Sequence, residues 1–256
     1  MRLRTGLAAL ALAGCALLAA GCKAGGTAGP ATSASSGAVA ATPAAAHAAD
    51  EVVAAADKLR TTSYTFTITG AGLTMQGAAD PPNRTLTMDA VMSIKAIMVD
   101  GQIYLKFPKD MPGAGAFGGG DTWLHLDASK FAASRLGIQQ LGDPGGVYDT
   151  VRTATAVEKV ADKHYRGTLD YTKTPAFAAN STLRSTLGDS AKAVPFEATV
   201  GDDGFLSTLD TTTTVNGTEV TQHMTFSGFG TKVTVAKPAP AEVTEAPERI
   251  YGLLGA

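Results

Sequence analysis

Residues 194–227 read VPFEATVGDDGFLSTLDTTTTVNGTEVTQHMTFS and decide the fold class. Apolar and polar side chains alternate within three runs of this stretch, which is typical of antiparallel strands with one buried and one solvated face. Asp203-Gly204 separates the first run from the second, and Asn216-Gly217 separates the second from the third. Both dipeptides suit the positive φ angles of type I′ turns, so the stretch predicts two consecutive β-hairpins.

The same alternation recurs towards the N-terminus. Residues 63–69 read SYTFTIT, and residues 85–94 place apolar side chains at the even positions. Asp100-Gly101 predicts a third hairpin, between strands at 96–99 and 102–107. Further strands are predicted at 121–127, 156–161 and 164–171. Nine or ten strands joined by short turns favour a meander over βαβ units.

A single clear helix precedes the strands. Residues 47–60 read HAADEVVAAADKLR and place Val52, Val53, Ala56 and Leu59 on one helical stripe. Asp50 or a neighbour is predicted to cap this helix. Short helices interrupted by glycine and proline are predicted within 128–153, and residues 175–192 are predicted to be helical or irregular.

The N-terminus has the layout of an export signal. Arg2 and Arg4 precede an apolar run from Leu7 to Ala20, which is too short for a bilayer span of about 20 residues and suits a secretory signal peptide. Ala19, Ala20 and Gly21 then precede Cys22, as in the cleavage site of a lipoprotein. We therefore predict a signal peptide at 1–21 and lipid attachment at Cys22, as diacylglyceryl cysteine with an N-acyl chain such as palmitate.

Cys15 is a competing attachment site, because Leu12-Ala13-Gly14-Cys15 also fits the cleavage pattern. Cys22 is preferred because the residues after it are polar, as a tether should be. A plain secretory signal with incidental cysteines is the remaining alternative. With only two cysteines, both near the N-terminus, no disulfide is predicted in the folded domain.

Composition limits what the rest of the chain can be. A lipidated flexible tether is predicted at 22–46, since Ala, Gly, Ser, Thr and Pro dominate there. One domain is predicted at 47–236 and a Pro-rich tail at 237–256. The net charge of −2 for the whole chain is mild and gives no reason to expect a nucleic-acid partner.

The order of these features resembles a known family. The lipoprotein signal, tether, helix and Thr-rich strands are followed by VDGQIYLK at 99–106, DTWLHLD at 121–127, VEKV at 157–160 and YRGT at 165–168. In these segments the chain resembles the actinobacterial LppX/LprA/LprF/LprG lipoproteins of the wider LolA-like group. The resemblance covers about residues 48–236.

The resemblance implies an α+β fold: a strongly curved antiparallel sheet, or half-barrel, with an N-terminal helix and short helices on its concave side. It also implies an apolar hollow that holds acyl chains of lipids or glycolipids, and a carrier or chaperone on the extracellular face of the cell membrane. The membrane, through the anchor, and a lipid or glycolipid are the implied partners, a membrane transporter is left open as another, and a monomer is expected.

The apolar side chains of the predicted strands are the candidates for lining such a hollow, because one helix covers a large sheet incompletely. Their alternative role is to pack a dry core, which would leave a sensory, adhesion or scaffold lipoprotein. Met is included because its flexible side chain adapts to variable ligands. The candidates are Tyr64, Phe66, Ile68, Leu86, Met88, Met92, Ile94, Ile103, Leu105 and Trp123.

Motifs of catalysis are missing from the sequence. No nucleophile elbow, HExxH zinc motif or P-loop occurs, so we do not expect an enzyme or a cofactor. The four histidines, His47, His125, His164 and His223, lack the spacing of a metal-binding pair, and no metal is expected. A hydrolase with scattered catalytic residues and a scattered metal site stay open as minor alternatives.

Overall fold

The computed structural model describes residues 43–90, 93–111, 115, 120, 122–131, 143–215 and 217–254. The predicted signal, most of the predicted tether, Cys22 and Met92 lie outside these residues. Five α-helices are found in the described part: α1 (Pro43–Lys58), α2 (Val147–Val151), α3 (Pro175–Ala179), α4 (Ser181–Leu187) and α5 (Glu248–Leu254).

Twelve strands form one sheet. In chain order they are β1 (Tyr64–Gly70), β2 (Leu73–Asp80), β3 (Thr85–Asp89), β4 (Lys95–Val99), β5 (Gln102–Lys106), β6 (Trp123–Leu126), β7 (Ala154–Ala161), β8 (His164–Leu169), β9 (Val194–Val200), β10 (Leu206–Val215), β11 (Thr218–Ser227) and β12 (Val243–Glu245).

The strand order is β12-β6-β5-β4-β3-β2-β1-β11-β10-β9-β8-β7. β7 and β12 are therefore edges that do not meet, and the sheet is curved and open. The predicted α+β half-barrel class is confirmed. β1 joins the two halves by pairing with β11, with Ile68 opposite Met224. One pairing departs from the antiparallel prediction, because β12 runs parallel to β6.

The predicted hairpins are present. Asp100 and Gly101 both have positive φ angles, 54° and 73°, in the turn between β4 and β5. Gly204 and Gly217 have φ angles of 77° and 79° in the turns on either side of β10. Glycine tolerates these angles without steric cost, which explains why the sequence places it there.

Three sequence-based boundaries are corrected. The N-terminal helix begins at Pro43, four residues before its predicted start, because Pro at the first helical position and the alanines after it suit a helix. Asp50 lies inside this helix and does not cap it. The strand predicted over 85–94 ends at Asp89, and the 237–256 segment predicted as a tail contains β12 and α5.

The inner face of the sheet and the helices share a hydrophobic core. Val52 of α1 and Leu59, in the 3-10 turn that follows it, are fully buried in it, beside Leu169 of β8 and Leu209 of β10. Glu51 of α1 accepts a hydrogen bond from the Tyr165 hydroxyl, and this bond lowers the pKa of the Glu51 carboxyl. The helix is therefore fixed against β7 to β10.

α2 is anchored to the core by an unusual carboxyl group. Asp143 is only 7% exposed, and its carboxyl accepts hydrogen bonds from the Tyr148 N–H at 3.1 and 3.2 Å. The Tyr148 hydroxyl lies 2.9 Å from the Tyr64 hydroxyl, which links α2 to β1. Burial raises the pKa of Asp143 to about 7, although the backbone N–H groups of Tyr148 and Val147 oppose this shift.

This carboxyl predicts a pH dependence of stability. The folded protein keeps Asp143 protonated up to about pH 7, whereas an unfolded chain releases that proton near pH 4. The free energy of unfolding should therefore fall by about 2–3 kcal/mol as the pH rises from 5 to 7. Urea unfolding of Asp143→Asn, which keeps an acceptor oxygen but no charge, should lack this fall. An equal fall in both proteins would contradict the assignment.

Candidate functional site

The core beneath α1 and α2 is filled by protein side chains. Six of the predicted ligand-lining residues belong to it and are less than a tenth exposed: Tyr64, Phe66, Ile68, Leu86, Ile103 and Leu105. Met88 and Ile94 are partly buried and pack against the same cluster. An open space for a ligand therefore has to lie elsewhere on the inner face.

Trp123 is placed on the other face of the sheet. Leu124 and Leu126 of the same strand point into the core, and alternation along β6 sends Trp123 and His125 to the outer side. The ammonium of Lys106 lies 5.7 Å from the centre of the Trp123 ring. Trp123 is therefore far from the inner face that the other candidates share.

An apolar groove of about 370 Å³ lies beside this core, between α4 and the sheet. Its floor consists of inner-face residues near the ends of four neighbouring strands, β1, β2, β10 and β11. The floor includes Ile68, Leu73, Met75, Thr213, Val215 and Val220. Of the nine predicted candidates whose positions are described, Ile68 alone lines the groove. We refer to this space as the α4 groove.

α4 forms the opposite wall. Asn180 caps it, because its side-chain oxygen accepts a hydrogen bond of 2.9 Å from the Leu183 N–H. Leu183 and Leu187 are four residues apart, so both project from the same side of the helix and line the groove. Leu187 also packs with Phe177 of α3 in a small second cluster. The two short helices thus hold an apolar wall over the sheet.

Hydroxyl and amide groups supply what polarity the groove has. Thr211 is 2% exposed and forms a hydrogen bond with the Tyr171 hydroxyl. Burial raises the pKa of the Tyr171 phenol, and this hydrogen bond opposes the increase. Gln222 of β11 faces the groove from an otherwise apolar row that includes Met224 and Val220. None of the described residues that line the α4 groove carries a charge.

Leu73 marks the rim of the groove. It follows the tight turn at Ala71 and Gly72 and is 49% exposed, although it belongs to the groove lining. Along the described part of the chain, a large apolar side chain this exposed is otherwise found only at Val160 of β7. The rim therefore presents apolar surface that a ligand could cover.

A second groove, of about 540 Å³, lies on the outer face across β7 to β11. Its walls carry mainly charged and hydroxyl side chains. Arg166 donates a hydrogen bond of 3.0 Å to Glu158, and His223 pairs with Asp210 next to Glu197. This groove is poorly suited to an acyl chain, which offers no partner for such groups.

The histidines are dispersed in ordinary polar contacts. Nδ1 of His125 lies 2.9 Å from Glu245, and its Nε2 lies 2.6 Å from Gln102, which ties β12 to β5 and β6. Nδ1 of His164 lies 3.1 Å from the Thr199 hydroxyl. Among the residues with described positions, no three His, Cys, Asp or Glu side chains form a group suited to a metal ion. That the chain is not an enzyme stays a prediction.

Comparison with known proteins finds solved structures that are similar to this chain at low sequence identity. The chain is similar to mycobacterial lipoproteins. It shares 14% identity with LppX of Mycobacterium tuberculosis over 75% of this chain and 99% of that one, with a TM-score of 0.43. For LprF of Mycobacterium bovis the identity is 12%, over 76% of this chain and 98% of that one, with a TM-score of 0.44.

A LolA superfamily protein of Nitrosomonas europaea is also similar, with 7% identity over 82% of this chain and 98% of that one and a TM-score of 0.30. No protein-family model and no curated protein sequence matches the chain. None of the described helices combines the length and apolarity that a bilayer span requires.

Sequence reasoning missed most of the α4 groove. Most of the predicted candidates lie in β1, β3 and β5, whereas the groove is lined by residues of β1, β2, β10, β11 and α4. Residues 181–187 read STLRSTL, and the spacing of Leu183 and Leu187 was the available signal for an amphipathic wall. The signal is weak because the helix is only seven residues long.

Proposed function

We propose that this protein is a membrane-anchored lipoprotein that binds an acyl chain of a lipid or glycolipid in the α4 groove and carries or chaperones it outside the plasma membrane. The observation that supports this proposal is the groove itself. Its volume of about 370 Å³ falls within the range of small-molecule sites, about 300–1,000 Å³. Its walls are aliphatic on both sides.

Hydrophobic burial would supply the binding energy. Removing apolar surface from water stabilises by about 25 cal/mol per Å², or about 0.8 kcal/mol for each methylene group. Leu183 and Leu187 on one wall, and Val215 and Val220 on the other, give a chain apolar contacts along its length. No bond is broken in this mechanism, because shelter from water is all that a carrier has to provide.

The proposed anchor places the groove near the membrane. Lipid attached to Cys22 would hold the chain at the extracellular face of the cell membrane. Twenty residues separate Cys22 from Pro43, the start of α1, and at full extension they reach about 70 Å. The domain would therefore work within one protein diameter or so of the lipids that it collects, as a monomer, with a membrane transporter as a further candidate partner.

The second candidate function is a sensory, adhesion or scaffold lipoprotein that carries nothing. The filled core beneath α1 and α2 favours it, since Tyr64, Phe66 and Leu86 have no open space around them. The α4 groove favours the carrier instead.

Mass spectrometry of bound lipids tests the proposal. The chain expressed without residues 1–22 lacks both the predicted signal peptide and the predicted anchor, and can be purified without detergent. Organic extraction should release a lipid or glycolipid at a stoichiometry close to one per protein. Protein that is consistently empty and does not bind added monoacylglycerol, phospholipid or glycolipid would favour the scaffold function.

A further inference from the structure

We propose that the α4 groove selects an uncharged amphiphile, one whose chain ends in an ester or hydroxyl group, and that Gln222 is the polar group that recognises it. This inference depends on the proposed function and adds the class of ligand. Two observations support it: the position of the Gln222 amide, and the pairing of the nearby charged groups with other parts of the protein.

Gln222 carries the only amide side chain among the described residues that line the α4 groove. Its neighbours on the same face of β11 are Val220 and Met224, and its cross-strand neighbours are Gly70 of β1 and Thr211 of β10. An amide in such a row contributes nothing to hydrophobic packing. Its N–H₂ and carbonyl groups are suited to a ligand that offers both an acceptor and a donor.

Gly70 leaves space beside this amide. A Cβ atom at position 70 would lie 3.2 Å from the Gln222 Cα and 3.3 Å from the Thr221 carbonyl oxygen. Such contacts are tighter than most that a Cβ atom makes, so a side chain at position 70 would require Gln222 or Thr221 to shift by a few tenths of an ångström, whereas glycine adds no bulk on the groove side. The Gln222 side chain is thereby left room to turn towards a ligand.

Charged groups near the groove are engaged elsewhere. Arg184 of α4 donates hydrogen bonds to the carbonyl oxygens of Phe177 and Ala178. Lys192 forms a 2.7 Å ion pair with Asp189 after the same helix. An ionised headgroup drawn into the groove would thus lose its water without gaining an opposite charge, which is strongly unfavourable. An ester, a hydroxyl or a sugar has no such penalty when an amide bonds it.

Monoolein and oleate separate these cases, because they share one chain and differ in the headgroup. We expect the chain expressed without residues 1–22 to bind monoolein at least about tenfold more tightly than oleate at pH 9, where oleate is ionised, in a fluorescent-lipid displacement assay. Equal binding, or tighter binding of oleate, would overturn this inference and leave the proposed function standing. Binding of neither ligand would overturn the proposed function as well.

Three variants test the role of Gln222. Gln222→Leu should reduce the preference for monoolein to less than about threefold, and Gln222→Lys should reverse it, because an ammonium pairs with the carboxylate. Gln76→Leu is the matched control, since Gln76 lies exposed on the outer face of β2. It should keep the wild-type preference. A Gln222→Leu protein with an unchanged preference would contradict the assignment. If a variant does not fold, the binding of monoolein and oleate to the chain without these substitutions still tests the proposal.

Discussion

Thr213→Trp is expected to abolish most acyl-chain binding. Thr213 lies on the floor of the α4 groove, opposite Val220 of β11. An indole at this position fills space that about three methylene groups of a ligand would occupy. At about 0.8 kcal/mol for each methylene, the loss is about 2.4 kcal/mol, or roughly fiftyfold in the dissociation constant. Titration with a fluorescent fatty-acid ester measures the change.

The matched control is Thr212→Trp. Thr212 is the adjacent residue of β10 and faces the outer side, where its hydroxyl lies 3.2 Å from that of Thr221. Trp has a high β propensity, so both substitutions should be tolerated by the strand. Only Thr213→Trp should weaken ligand binding, and Thr212→Trp should not. If both variants bind as the wild type does, the α4 groove is not where the chain sits.

Gly77→Ala should destabilise the fold by about 3 kcal/mol, at the upper end of the range for overpacked cores. Gly77 of β2 lies between Phe66 of β1 and Met88 of β3. A Cβ atom there would overlap the carbonyl oxygen of Thr87 and lie 2.8 Å from the Phe66 ring. Because the first neighbour is backbone, the contact is relieved only if the strands move apart.

Urea unfolding measures this effect, with Gly115→Ala as the control. A Cβ atom at Gly115 would have none of the described atoms within 4 Å. This control should change the free energy of unfolding by less than about 0.5 kcal/mol. A Gly77→Ala protein as stable as the wild type would mean that β1, β2 and β3 are not packed as closely as described.

The sequence predicted the strands that alternate strictly and turn at Asp-Gly or Asn-Gly. β11 spans Thr218–Ser227, as predicted, because polar and apolar residues alternate along it and Gly217 fixes its start. β2 was missed. Its residues LTMQGAAD include glycine and two alanines, which have low β propensity, and Gly77 is there to make room for Phe66. Local preference cannot reveal a requirement set by a neighbouring strand.

The C-terminal elements were missed for a similar reason. β12 has only three residues, and α5 follows Pro247 in a segment whose prolines suggest a tail. Yet Ile250 is fully buried in the main core, and the Tyr251 hydroxyl accepts a hydrogen bond of 2.9 Å from the Asp127 N–H. These contacts are long-range, and nothing in the local pattern predicts them.

The candidate lining residues stay a prediction, and most of them lie on the inner face of the sheet but outside the α4 groove. Six of the nine described candidates are buried in the core, Met88 and Ile94 are partly buried against it, and Trp123 lies on the outer face. Where the core ends and the groove begins depends on how far α1, α2 and α4 extend over the sheet. The boundary therefore depends on where the helices lie over the sheet, and the apolar periodicity of the strands does not predict their positions.

The pairing of β1 with β11 has a consequence for biogenesis. The two strands are separated by about 150 residues of chain, and β1 is made first. Until the later strand emerges, Tyr64, Phe66 and Ile68 belong to an unpaired edge, the kind of surface on which nascent chains aggregate. Long-range pairing of this sort also slows folding. A holding chaperone should therefore be needed during synthesis, until residues 218–227 are available to pair with β1.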